Sequence, residues 1–169
     1  MQITSASREP LAPWIRQNRD RIDEALWRDG HVLFRGFEVG GLPGFEDCAG
    51  SACDALYRHY GDLPLASASD NVYFSTPYPR HLEIRFHNEA SHTQSWPSRQ
   101  LFFCLEPATE GGEWTLSDGR QVMERLPAQM LERFRELGLV YRRRFIRGLD
   151  TSWQEFFKVG RLQGLRMKI

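Results

Sequence analysis

His87 and Glu89 stand two residues apart in a run, Leu82 to His92, whose composition favours a β-strand. Side chains two apart on a strand project from the same face, so one imidazole nitrogen and one carboxylate oxygen can converge on a single ion. A 2-His-1-carboxylate set with open coordination positions suits non-haem Fe(II) that must also take a co-substrate and dioxygen. The pair would supply all of that set except its second histidine. A bare His-x-Glu recurs by chance in many chains, so its meaning depends on what surrounds it.

No other histidine completes the set by simple spacing. His81 has the parity for the same face but lies too far along an extended strand, and His92 has the opposite parity and needs a sharp turn at Ala90-Ser91. His31 and His59 lack motif context and read as surface or satisfied polar histidines. No histidine follows His92.

The elements that must position the pair follow from periodicity. Ile22, Ala25 and Leu26 recur at helical spacing between Arg19 and Asp29, and Gly30 stops the run. His31 to Phe37 is β-branched and aromatic and is expected to form a strand. Pro43 to Tyr60 returns to helical spacing, with Phe45, Cys48, Ala49, Ala52, Ala55 and Leu56 on one face and Gly61 as terminator. Leu63 to Tyr78 is rich in Pro, Ser and Asp and reads as loop with one short strand. Leu82 to Asn88, Gln100 to Leu105 and Leu139 to Ile146 are expected strands, and Pro107 to Gly112 a turn. Arg120 to Leu137, with Val122, Met123, Leu126, Met130, Leu131 and Phe134, predicts one long helix ended by Gly138. Pattern alone yields an α+β domain.

Composition is that of one compact domain spanning residues 1–169, with 41% hydrophobic and 12% aromatic residues in a chain too short for two comfortable cores. Twenty-two basic residues balance twenty-two acidic ones, which gives no electrostatic case for nucleic acid or an anionic membrane as partner. The cluster Arg142-Arg143-Arg144 with Arg147 reads as a solvated face. Cys48, Cys53 and Cys104 are odd in number and form no Cys-x-x-Cys pair, as expected of buried thiols in a reduced compartment. The N-terminus has no secretory pattern, and no apolar run approaches the about eighteen residues of a membrane span. The expected location is therefore cytoplasmic. Residues 158–169 form a divergent basic tail.

Several landmarks occur in order. They are His31-Val32-Leu33-Phe34-Arg35-Gly36-Phe37, Tyr73-Phe74-Ser75-Thr76-Pro77-Tyr78-Pro79, Phe86-His87-Asn88-Glu89-Ala90-Ser91, Trp96-Pro97-Ser98-Arg99, Leu101-Phe102-Phe103-Cys104, Glu110-Gly111-Gly112-Glu113, Ser117-Asp118 and Ser152-Trp153-Gln154-Glu155-Phe156-Phe157. Together they resemble the taurine catabolism dioxygenase family of Fe(II)/2-oxoglutarate enzymes, nearest to its branch with clavaminate synthase and the hydroxylases of peptide-antibiotic pathways. The resemblance implies a jelly roll, or double-stranded β-helix, with helices outside, mainly β and here incomplete. It implies Fe(II) as cofactor on His87 and Glu89, 2-oxoglutarate as cosubstrate, and hydroxylation of an amino acid or similar small metabolite, in this branch often one tethered to a carrier protein. Tyr73, Ser75, Arg85 and Arg99 lie near the motif and can meet a substrate carboxylate or amine, although each residue type is more often structural.

The sequence departs from the family in two places. The family's distal histidine, and the arginine after it that clamps 2-oxoglutarate, fall far beyond the first motif and have no counterpart in these residues. The family's threonine directly after the Gly-Gly-acid turn is here Trp114, with Thr115 one residue later, so the hydroxyl changes strand face unless a bulge restores it. Trp114 then packs against the cosubstrate or fills the core, the second being commoner for a tryptophan. Two other readings stay open: a truncated or degenerate relative without turnover that acts in metal or protein binding, and an unrelated two-ligand metal protein such as a cupin-like hydrolase or isomerase. An incomplete jelly roll would leave strand edges and apolar surface that a homo-oligomer could cover.

Overall fold

A computed structural model describes residues 1–56, 69, 71–75, 81, 83–91, 96–142, 144–146 and 152–154. They fall into two compact units, Met1–Glu83 with Ser98–Thr115, and Ile84–Pro97 with Leu116–Ile169.

The first unit is built on a parallel pair of short strands, β1 (Gln2–Thr4) and β2 (Leu33–Arg35), with Ile3 opposite Phe34. Parallel strands need a crossover, and two helices supply it, α1 (Leu11–Gln17) and α2 (Arg19–Asp29). A third helix, α3 (Gly41–Ala52), follows β2. Gly36 sits at φ +73°, where a Cβ would overlap the Ser5 carbonyl oxygen, so only glycine lets the chain leave β2 beside β1.

Apolar faces at helical spacing meet between these elements. Leu11, Ala12 and Ile15 of α1, Ile22 of α2, and Cys48 and Ala52 of α3 form one buried cluster, in which Ile15 is only 2% exposed. Trp14, Phe34 and Phe37 close its edge as three mutually edge-on rings 5.4–5.9 Å apart. Leu101 joins the same cluster, and Phe103 stacks on Phe45 of α3 at 5.4 Å. Leu101 and Phe103 thus face the helices while Phe102, between them, points away. That is the two-residue alternation of a strand.

Helix α2 has the bounds its periodicity predicts and ends on Gly30 in the left-handed region, whose N–H donates to the Leu26 carbonyl. Other expectations require correction. β1 and α1 are additional elements, and the strand expected over His31 to Phe37 is paired only over Leu33–Arg35. The helix expected from Pro43 begins at Gly41 and stops at Ala52, because Cys53 turns extended, at φ −131° and ψ 147°. Residues 57–61 lie outside the described set, as do most of Leu63 to Tyr78 and all of 158–169.

The second unit holds α4 (Gly119–Arg125) and α5 (Ala128–Leu137), where one helix over Arg120 to Leu137 was expected. Pro127 causes the break: its ring forces Leu126 out of the helical region, to φ −77° and ψ 143°, and it has no N–H to give. Asp118 caps α4 by accepting from the Arg120 backbone N–H. Among the described residues, Leu82 to Asn88, Gln100 to Leu105 and Leu139 to Ile146 enter no strand ladder. Cys48 is buried and Cys53 half-buried, but Cys104 is exposed, against the expectation of three buried thiols.

Candidate metal site

His87 and Glu89 both lie in the second unit. Their spacing brings the side chains to one side of the backbone: His87 Nε2 is 3.6 Å from Glu89 Oε2, with 60% and 29% of the two side chains exposed. At the far edge of the ring, His87 Nδ1 lies 2.8 Å from the Arg85 carbonyl oxygen. A carbonyl can only accept, so Nδ1 carries the proton and, in the neutral ring, Nε2 keeps its lone pair toward the carboxylate. This is the outer support usual for a metal-bound histidine, supplied here by backbone.

A proton or a metal cation between Nε2 and the carboxylate satisfies both atoms. Metal bonds to imidazole nitrogen and carboxylate oxygen run about 2.0–2.2 Å, so atoms 3.6 Å apart can touch one ion. The donor set therefore fits a metal that accepts mixed N and O ligands, with further positions left for other groups. Among the described residues no three His, Cys, Asp or Glu side chains gather at one point. His92 lies outside them.

The other candidates belong to the first unit, except Arg85, whose side chain is exposed in the second. Tyr73 is half-buried and Ser75 exposed. Trp114 is 64% exposed and pairs with Phe102 at 4.1 Å between ring centroids, so it does not fill the core as expected for a tryptophan at that place. Phe102 faces away from the helices, and Trp114 shares its side. Thr115 is exposed. Gly111 and Gly112 before it have φ of +70° and +81°, a turn that side chains would strain.

Arg99 is engaged at both ends of its guanidinium. Its Nη1 donates to the Ala52 carbonyl oxygen at 2.8 Å, and its Nη2 lies 2.9 Å from Asp23 Oδ1 as an ion pair without hydrogen-bond alignment. Sequence reasoning missed two contributors, the Arg85 carbonyl and Asp23. A backbone acceptor leaves no trace in residue type, and Asp23 reads only as a polar position of an amphipathic helix.

An imidazole and a carboxylate two residues apart, the ring held by a backbone carbonyl, make a pair of nitrogen and oxygen donors. The sequence matches the taurine catabolism dioxygenase TauD, TfdA family over residues 5–163, and the chain belongs to that family of dioxygenases. It is 33% identical over 138 residues to the dapdiamide synthesis protein DdaC of Enterobacter agglomerans, covering 81% of this chain and 42% of that protein. It is 31% identical over 132 residues to a clavaminate synthase-like protein of Arabidopsis thaliana, covering 75% of this chain and 40% of that protein. The chain thus spans about two fifths of the length of these curated relatives. No solved structure matches it. Among the described residues no helix is long and apolar enough to cross a membrane.

Proposed function

We propose that this chain carries the first two metal ligands, His87 and Glu89, of an Fe(II)/2-oxoglutarate-dependent oxygenase that hydroxylates an amino acid or similar small metabolite. The observation that carries the reading is the convergence of His87 Nε2 and Glu89 Oε2 at 3.6 Å inside a sequence of this family. Fe(II), when bound, supplies activation of dioxygen coupled to decarboxylation of 2-oxoglutarate. The residues do the rest. Glu89 places a negative charge against the cation, and the Arg85 carbonyl fixes the ring of His87 so that Nε2 is the ligating atom. Thr115 and Trp114 are the groups assigned to the cosubstrate. The hydroxyls of Tyr73 and Ser75 can donate to a substrate carboxylate or accept from an amine and the Arg85 guanidinium can donate to a carboxylate, while Arg99 offers a guanidinium already engaged by Asp23 and Ala52.

The similarity to a dapdiamide synthesis protein supports an amino-acid-like substrate; a carrier-tethered form of it is part of the proposal. Anaerobic titration with Fe(II) and 2-oxoglutarate tests the proposal. A weak visible charge-transfer band that vanishes in Glu89→Ala is the expected result. No band in the parent chain favours a family member that no longer turns over, and turnover without 2-oxoglutarate points to a different metal chemistry.

A further inference from the structure

Within the first unit, Ser69, Asn71 and Val72 are bonded to one another just before Tyr73. The Ser69 N–H donates to the Val72 carbonyl oxygen at 3.2 Å, and the N–H groups of Asn71 and Val72 both donate to Ser69 Oγ, at 3.4 and 3.2 Å. These three residues therefore move together, and Tyr73 follows the last of them directly. Among the described residues, they are tied to the rest of the unit by one side-chain bond and one buried side chain. Asn71 Nδ2 donates to Glu46 Oε1 at 2.6 Å, and Val72 is 6% exposed. Glu46 stands on a fixed platform, because neighbouring positions of α3 stack Phe45 on Phe103 and place Cys48 in the buried cluster.

The other half of the Asn71 amide is left over. Its Oδ1 is buried and accepts no hydrogen bond among the described residues. Turning the amide over brings no relief, since that oxygen would then face the Glu46 carboxylate, which is another acceptor. A bond to a carboxylate is strong, but a dry acceptor without a donor costs free energy that water would return. Seating the segment thus sets one strong bond and one buried valine against one unmet oxygen. Such a balance opens locally at less cost than unfolding of the core.

We infer that Glu46 and Asn71 form a catch that seats residues 69–72 on α3 and thereby sets the place of Tyr73, so that both are positioning residues. The catch stands on geometry within the first unit. That Tyr73 then meets a substrate rests on the function proposed above, and the catch is decided without it.

Asn71→Ala, Asn71→Asp and the exchanged pair Glu46→Gln with Asn71→Asp test it. Hydrogen exchange of the Val72 and Tyr73 amides reads the catch, and the fluorine resonance of fluorotyrosine at Tyr73, identified by its loss in Tyr73→Phe, reads the placement. In the parent chain the Val72 amide exchanges faster than those of Ile15 and Cys48, at a rate that low urea leaves unchanged. Both single variants speed exchange at Val72 and Tyr73 several-fold and shift the resonance, Asn71→Asp the more because two carboxylates then face each other, while Ile15 and Cys48 keep their rates. In the exchanged pair donor and acceptor trade places, and exchange and resonance return most of the way to the parent. Val72 exchange as slow as that of Ile15 in the parent, or unchanged in both single variants, overturns the catch. An exchanged pair no better than Asn71→Asp overturns the pairing of the two side chains, and faster exchange with an unmoved resonance overturns the placement of Tyr73.

Discussion

Glu89 is the residue on which the proposed metal site turns, because it would provide both an oxygen ligand and the formal negative charge beside His87. Removing it leaves one neutral imidazole against the ion. Glu89→Ala is expected to abolish Fe(II) binding measured by anaerobic titration, whereas Glu89→Asp keeps the chemistry but shortens the reach and weakens binding without ending it. Unchanged affinity in Glu89→Ala sinks the assignment. At this scale the sequence brought out His87 and Glu89 by their spacing, but the strand parity behind that expectation is not what sets their 3.6 Å approach, since Glu89 lies in a turn and the described residues around it form no strand. It was least legible where a role depends on a partner distant in sequence. Arg99 was readable as a substrate contact or a structural residue without a choice between them, because nothing in Trp96 to Arg99 reveals Asp23 or the end of α3, and Trp114 was expected in the core because bulk alone suggests burial.

Periodicity revealed elements in proportion to their length and failed at breaks. Helix α2 was readable from Ile22, Ala25 and Leu26 with Gly30 as stop, but α1 is two turns long, carries Pro13, and shows too little pattern to register. The split of α4 from α5 was written in Pro127, yet the apolar spacing from Val122 to Phe134 continues through it and masked the break. Ile15 tests how far the helical layer carries the first unit. Ile15→Ala is expected to cost about 2–5 kcal/mol in denaturant unfolding, since a fully packed aliphatic leaves a cavity between α1 and its neighbours. A loss well below that range would mean the layer relaxes around the gap. The start of α4 makes a pH-dependent prediction. The Arg120 side chain, hydrogen-bonded to Asp118, holds that carboxyl below its ordinary value, with the backbone bond from Arg120 adding to the effect. A depressed native value stabilises the helix above the unfolded pKa of about 3.9, and the contribution disappears as pH falls through the lower native value. Exchange of the Arg120 and Gln121 amides should therefore show extra opening on acidification that Asp118→Asn, which can still cap but cannot titrate, does not show.

Across the whole chain the two units differ in what they bury. The first has a continuous apolar cluster; in the second, neither α4 nor α5 buries a single residue, and Leu137 and Val140 are 73% and 92% exposed. Ile84 and Phe86, which flank the metal motif, and Met130 and Phe134 on α5 are exposed as well. Burying one such side chain is worth about 1.5–3 kcal/mol, and the net stability of a domain is only about 5–15 kcal/mol, so several left in water remove the margin. Exposed apolar side chains in such number favour association. These 169 residues prepared as an isolated polypeptide are therefore expected to be marginally stable or to self-associate, seen as a concentration-dependent mass in light scattering. They are also expected to show no 2-oxoglutarate-dependent oxygen uptake with Fe(II) and ascorbate, because among the described residues the iron finds His87 and Glu89 without a third protein ligand. The two outcomes are linked through the same unit: the segment that holds the ligands is the one whose apolar residues lack cover, so weak packing and weak metal retention should appear together. Robust uptake by a monodisperse sample would mean that a third ligand is already present in this chain, and His92 would be the first residue to replace.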